Sequence, residues 1–436
     1  MERFAYNLIK NWFKDNLRKP LLLKGARQVG KTWLVDEVGK KMFNNNYIKI
    51  DFMKNKDIHS FFSNVIEPDI IIHKLSLYFN KNINKDTLIF FDEIQECNDA
   101  LNSLKYFNTN RNKYYIIAAG SLLGLHLNGF PVGQTNEINI TPLSFDEFIY
   151  NSDEKLFDYF KGITLDKKIE LPFHNKLLEY YKDYLIIGGM PEPLNEWIVN
   201  KNYEKVIKIQ KEIISGYEHD FGKYNKKIDA GKILAIFRSL PSQLAKENAK
   251  FKYSIIKKGG RANDYESAMN WMVSTNIIDL TNNVSEPLAP LKASVIQNHF
   301  KAFFLDVGLI KTMAEISNEQ ILLNKDFRFK GALTESFVKQ QLTACMNNTT
   351  FYYSIPNKIE IDFLVDIKGD IYPIEVKGGI NTRSASLNKY IDTYKPRKYI
   401  RLSQNNIAIN HNTIDLPLYL VSRIPYILQQ ETLFDD

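Results

Sequence analysis

The octapeptide Gly25-Ala26-Arg27-Gln28-Val29-Gly30-Lys31-Thr32 has the residue types and spacing of a phosphate-binding loop, G-x-x-x-x-G-K-[ST]. Gly25 lets the chain turn sharply out of a strand, and Gly30 lets backbone N–H groups approach phosphate oxygens without a Cβ in the way. Lys31 is placed to reach β- and γ-phosphates, and the Thr32 hydroxyl to ligate Mg2+. Trp33 follows in the first turn of a helix whose positive end would face the anion. A second set lies in "LIFFDEIQ" (88–95), where four apolar residues deliver Asp92 and Glu93 to the end of a buried strand. Asp92 would hold Mg2+ through water, and Glu93 would polarise the water that attacks a γ-phosphate. "IIAAGS" brings Ser121 to the end of a neighbouring strand, where a hydroxyl can sense that phosphate; a helix-capping serine is the plain alternative.

A third set sits far downstream in "IEIDFLVDIKGDIYPIEVKGG" (359–379), which reads as a β-hairpin. Ile361, Phe363, Val365 and Ile367 share one face and Asp362 points to the other. On the return strand Glu375 and Lys377 lie together, opposite Ile374 and Val376. Upstream, "GALTESFVKQQL" (331–342) has the pattern of an amphipathic helix carrying Glu335. The order Glu335, Asp362, Glu375-x-Lys377 resembles the PD-(D/E)xK nuclease core. That resemblance implies Mg2+ on Asp362 and Glu375 and a lysine that helps activate water. The competing reading is a degenerate core in which Glu375 and Lys377 form a salt bridge.

The elements that must position these residues change character along the chain. Up to about residue 150, apolar strands alternate with amphipathic helices, including a helical stretch at 62–79. This βαβ series predicts an α/β fold with a doubly wound parallel sheet, that of a P-loop NTPase. Residues 155–250 read as long amphipathic helices. Residues 251–285 read as helix, basic turn, helix and short strand. From about 328 come a helix, the hairpin and further strands. The expected boundaries are 1–150, 151–325 and 326–436.

Composition limits the function classes. The 436 residues are 44% hydrophobic and 25% charged, which is ordinary for folded globular domains. A net charge of +7 permits a nucleic-acid partner without arguing for one. With only Cys97 and Cys345, a disulfide framework or zinc cluster is not expected, and a reducing cytoplasm fits. The N-terminal stretch has an acidic residue at once and no uninterrupted apolar core, so it does not read as a signal peptide, and the longest apolar run, 114–125, is too short for a membrane span. His219 and Asp220 read as a structural pair.

Beyond the phosphate loop, the chain resembles the bacterial and archaeal AAA-type P-loop ATPases that carry a C-terminal domain of unknown function. The resemblance rests on "LLLKGARQVGKTWLVDEV" (21–38), "LIFFDEIQE" (88–96), "AAGS" (118–121), "PVG" with "PLSFDEF" (131–148), "IIGGMPEPL" (186–194), "FKAFFLDVGLI" (300–310) and the hairpin. It implies ATP hydrolysis with Mg2+, a winged-helix-like middle region and a smaller C-terminal α/β domain with a restriction-endonuclease-like fold. Relatives commonly carry an arginine after "PVG"; here Gln134 stands there, so an arginine finger is unassigned and Arg111 is a weak substitute. The helix in "DYESAMNWMVST" (264–275) takes the position that would read DNA, with core packing as the alternative. Three functions stay open: an ATPase coupled to a nuclease-like domain, an ATP-dependent DNA nuclease, and a non-catalytic nucleotide-dependent module. A homo-oligomer also stays open.

Overall fold

The computed structural model describes residues 1–436 except 64–66, 110–112, 122–132, 225–228, 247–248, 347–348, 357, 382–383 and 432–436. The chain divides into two compact units, one formed by residues 1–141 with 274–276 and one by 142–273 with 277–436.

The first unit holds five parallel strands: β1 Leu21–Lys24, β2 Tyr47–Asp51, β3 Leu88–Asp92, β4 Tyr115–Ala119 and β5 Asn136–Asn139. Their order is β2-β3-β4-β1-β5, with every pairing parallel. Residues on both faces of β1 and β3 are buried, as the continuous apolar runs require. On one face Leu22, Ile50, Ile89 and Phe91 join Ile71, Leu75, Leu101 and Leu104 from the helices Pro68–Tyr78 and Asn98–Thr109 in one core. The helix Lys31–Met42 packs on β3 and β4. The helical stretch expected at 62–79 is shorter than its pattern. Pro68 opens the helix, because a ring that lacks an N–H costs nothing in a first turn.

The second unit carries a mixed sheet of β6 Ile278–Val284, β7 Val295–Phe304, β8 Phe351–Ile355, β9 Ile359–Ile367, β10 Asp370–Val376, β11 Tyr399–Ser403, β12 Ala408–Asn410 and β13 Thr413–Pro417. The order is β12-β13-β11-β10-β9-β8-β6-β7. Strand β6 pairs with β8, so the sheet runs across the boundary expected at residue 325. The helices Ala230–Leu244, Tyr253–Ile256 and Ala262–Ser274 precede the antiparallel pair β6–β7.

Two of the recognised phrases meet in the interior of this unit. Gly188 has φ +73, and a Cβ there would lie 2.1 Å from Asp306 Oδ1. A Cβ on Gly189 would come within 2.1 Å of the Leu143 carbonyl oxygen. Buried Asp306 accepts hydrogen bonds from Gly189 N (2.6 Å), Leu309 N (3.0 Å) and Gln340 Nε2 (3.1 Å). "IIGGMPEPL" and "LDVGLI" are therefore the two sides of one polar joint. The helix Lys330–Met346, expected to be amphipathic, is buried from Leu333 to Leu342 except at Glu335, which is half-buried. Its polar residues are buried because they are satisfied. Gln341 Oε1 accepts from Phe145 N, Gln340 Oε1 from Val307 N, and Lys339 Nζ donates to Thr350 Oγ1. Among the described residues no helix is long and apolar enough to cross a membrane.

Candidate functional sites

The phosphate loop leaves β1 at Gly25, whose φ of +144 excludes a side chain; a Cβ would also sit 2.2 Å from the Ile140 carbonyl oxygen. Gln28 (φ 63) and Gly30 (φ 90) bend the loop back into the helix at Lys31. No side chain caps that helix, so its first N–H groups stay free for an anion. Ala26 and Val29 are buried, Arg27 is half-buried, and Trp33 is exposed on the first turn. Lys31 lies folded against its own loop, donating to the carbonyls of Gly25 (2.9 Å) and Ala26 (2.7 Å). Burial pulls its pKa down to about 8, against the pull of Glu93 and Asp92, so it stays protonated at neutral pH.

Thr32 Oγ1 donates to Asp92 Oδ1 at 3.2 Å, joining the two expected Mg2+ ligands across 60 residues. Burial raises the Asp92 carboxyl, and Lys49 on β2, 3.6 Å away, opposes the rise. Glu93 adopts a left-handed backbone (φ 50, ψ 46). Its Oε2 accepts from Gln95 Nε2 at 2.5 Å and from Ser121 Oγ at 3.5 Å. Arg3, nearly buried, donates to the carbonyls of Val29 (2.9 Å) and Thr141 (2.7 Å) and so braces the loop. Gln134 accepts from Asn108 Nδ2 at 2.6 Å. Arg111 and most of the "PVG" phrase lie outside the described residues. Sequence reading missed Arg3, Lys49 and Gln95. Arg3 and Lys49 are ordinary residue types that only the fold brings near, and Gln95, though two residues from Glu93, is marked by no motif.

The third set also converges. The pairing of β9 with β10 puts Ile374 opposite Phe363, so Asp362 and Glu375 lie at the next cross-strand position. The Lys368–Gly369 turn, with both residues left-handed, fixes that register. Asp362 Oδ2 accepts from Val376 N at 2.8 Å. Glu375 Oε1 lies 2.7 Å from Lys377 Nζ and accepts from Ser384 Oγ at 2.9 Å. Its Oε2 is buried without a hydrogen-bond partner.

The residue that sequence reading missed is Lys301 on β7. Its side chain is 1% exposed, and its Nζ lies 3.0 Å from Glu335, 3.4 Å from Glu360 and 3.8 Å from Asp362. Burial pulls this ammonium down, but the charges of Glu335, Asp362 and Glu360 outweigh it and hold it above the ordinary lysine range. The Asp362 carboxyl is driven well above its ordinary value by burial, then by the charges of Glu335 and Glu375. Among the described residues no three His, Cys, Asp or Glu side chains are disposed to hold one metal ion. His219, on the helix Tyr203–Tyr224, donates through Nδ1 to the Ser215 carbonyl at 2.7 Å.

Residues 17–149 match the family described as an AAA domain. Residues 178–320 and 330–421 match domains of unknown function, DUF8612 and DUF4143. No curated protein matches the chain. Among solved structures, a Walker-type ATPase of Pyrococcus abyssi is 14% identical, with 72% of this chain and 95% of that one covered at a TM-score of 0.43. The Orc1 protein of Aeropyrum pernix in complex with DNA is 10% identical, with 72% and 90% covered at 0.31. AMPPCP-bound DnaA from Aquifex aeolicus is 14% identical, with 62% and 87% covered at 0.27. These overlaps are loose, and the assignment rests on the family match together with the loop and strand order. The first unit is an AAA-type P-loop ATPase domain, and the chain that carries it ends in a DUF4143 domain of unknown function.

Proposed function

We propose that the first unit binds ATP with Mg2+ and hydrolyses it. The observation that carries this reading is the 3.2 Å contact between Thr32 and Asp92 beside the Lys31 loop. A hydroxyl and a carboxylate are the hard oxygen donors that Mg2+ takes, so the residues fit the ion. Bound there, Mg2+ would neutralise charge on the β- and γ-phosphates. Lys31 exchanges two backbone carbonyls for phosphate oxygens, a favourable trade because the new contacts join opposite charges. The loop N–H groups and the start of the Lys31–Met42 helix receive the remaining phosphate charge. Glu93 takes the proton side of the attacking water, and Ser121 is the polar group that meets the γ-phosphate.

The test is ATP turnover by the pure protein, with and without DNA and RNA. Lys31→Ala should abolish it; unchanged turnover would sink the reading. Stimulation by one nucleic acid would name the partner class. The three helices and the β6–β7 hairpin have the element order of a winged helix, which supports DNA as a partner. Against this, the Ala262–Ser274 helix exposes Asp264 and Glu266 and buries Tyr265, Met269 and Met272. A homo-oligomer is the remaining partner proposal, and light scattering with and without ATP tests it.

For Glu335, Asp362, Glu375 and Lys377 we favour a non-catalytic core that the ATPase unit moves or presents. An ATP-dependent nuclease needs Mg2+ on Asp362 and Glu375. The unpartnered Oε2 of Glu375 supports that alternative, but Lys301 already supplies a cation to three carboxylates. The residues as arranged do not fit a metal, and no cleavage step follows from them. Mg2+-dependent cleavage of duplex, single-stranded or branched substrates, lost in Lys377→Ala, would reverse this preference.

A further inference from the structure

We infer that Gln95 is the positioning residue for the Glu93 carboxylate, fixing which of its oxygens faces the nucleotide. The inference rests on the reading of Glu93 as the group that polarises water. Four observations converge on it. Gln95 Nε2 lies 2.5 Å from Glu93 Oε2, the shorter of the two side-chain bonds that Glu93 receives. Both donors address Oε2, and among the described residues no hydrogen bond reaches Oε1. Because Oε2 only accepts, the amide must turn its nitrogen to Glu93, and this leaves Gln95 Oε1 buried without a partner. Such an oxygen costs about 1–3 kcal/mol, so the orientation is held at the expense of stability. Finally, Glu93 itself sits in a left-handed backbone, a conformation unfavourable for a residue with a long side chain.

The 3-10 turn Ile94–Glu96 explains how this works. Ile94 is fully buried and anchors the turn. Two residues separate Glu93 from Gln95, so their side chains meet only because the backbone reverses hand at Glu93. Strand β3 thus ends in a bend that throws Glu93 sideways, and Gln95 catches it. Ser121, from the end of β4, closes the other side. Clamped on one oxygen, the carboxylate presents Oε1 as its free lone-pair site.

Three variants test this by kcat, KM and affinity for a non-hydrolysed ATP analogue. Gln95→Ala should lower kcat about 10- to 100-fold, the scale of a misplaced catalytic group, with analogue affinity unchanged. Gln95→Glu keeps the shape but sets a second carboxylate against Glu93. It should lower kcat at least as far as Gln95→Ala does, with analogue affinity again unchanged. If Gln95→Ala does not fold, the isosteric Gln95→Glu carries the test alone. Unchanged kcat in both variants, or a loss of analogue affinity that explains the rate, would overturn the inference while leaving Glu93 in place. Glu93→Gln separates the two: turnover unchanged in that variant would remove the role of Glu93 and the inference with it.

Discussion

The phosphate-loop cluster and the C-terminal cluster hold the same kinds of side chain, but they satisfy them differently. In the first, Lys31 rests on two carbonyls of its own loop, partners that a phosphate can replace. In the second, Lys301 and Lys377 are already set against four carboxylates. A ligand arriving at the first gains contacts. At the second, a cation must first compete with an ammonium that cannot leave its strand. Acids and lysines at enzyme-like spacing are therefore not enough to identify a site. What decides is whether a covalently tethered partner has taken the ligand's place.

The largest effect expected is at the first cluster. Removing the Lys31 ammonium should lower turnover by at least about 100- to 1000-fold, the scale for one missing electrostatic donor. A steady-state ATPase assay of Lys31→Ala measures it, and a small loss would erase the contrast between the clusters. Next comes Lys301→Met, which strands three carboxylates. It should cost about 3–5 kcal/mol at neutral pH, seen in urea unfolding. The penalty should shrink at acid pH, where the Asp362 carboxyl, already raised, is protonated first. Mn2+ should stabilise this variant more than the wild type in the absence of nucleotide; equal effects would show that Lys301 does not block the cluster.

Asp306→Asn tests the polar joint of the second unit. Burial pushes the Asp306 carboxyl up to about 6, above its ordinary value, so the folded state holds the proton more tightly than the unfolded chain. The contribution is therefore fully present below about pH 4 and is lost as pH rises through about 6. The stability difference between wild type and Asp306→Asn should narrow over that window by up to about 3 kcal/mol. Smallest should be Arg238→Ala. Its pair with Glu218, 2.8 Å apart, is exposed on helices of the second unit, so unfolding should shift by about 0.2–1 kcal/mol.

The first cluster was largely legible because its residues are contiguous, and their order along the chain is their order in space. The glycines, Lys31 and Thr32 fall in eight residues, and the apolar run of β3 dictates where Asp92 and Glu93 emerge. Lys301 was not legible. In "NHFKAFF" it is one lysine in a strand, and nothing local reveals three acids above it. Arg3 and Lys49 were hidden for the same reason. The polar half of Lys330–Met346 misled differently. Binary patterning assigns Lys339, Gln340 and Gln341 to solvent, but each is buried against a specific partner. The glycines of "IIGGMPEPL" were noticed as a phrase, while their cause lay 117 residues away in Asp306.

The pairing of β6 with β8 has a practical consequence for anyone cutting the chain. The family boundaries near residue 325 invite expression of the C-terminal part by itself. Such a fragment would lose β6 and β7, baring the long flank of β8 with its unpaired N–H and C=O groups. It would also lose Lys301, whose ammonium lies within 4 Å of Glu335, Glu360 and Asp362. Insoluble or aggregated protein from that fragment would say nothing about the activity of the domain. A start near residue 277 keeps the flank covered and the charge in place.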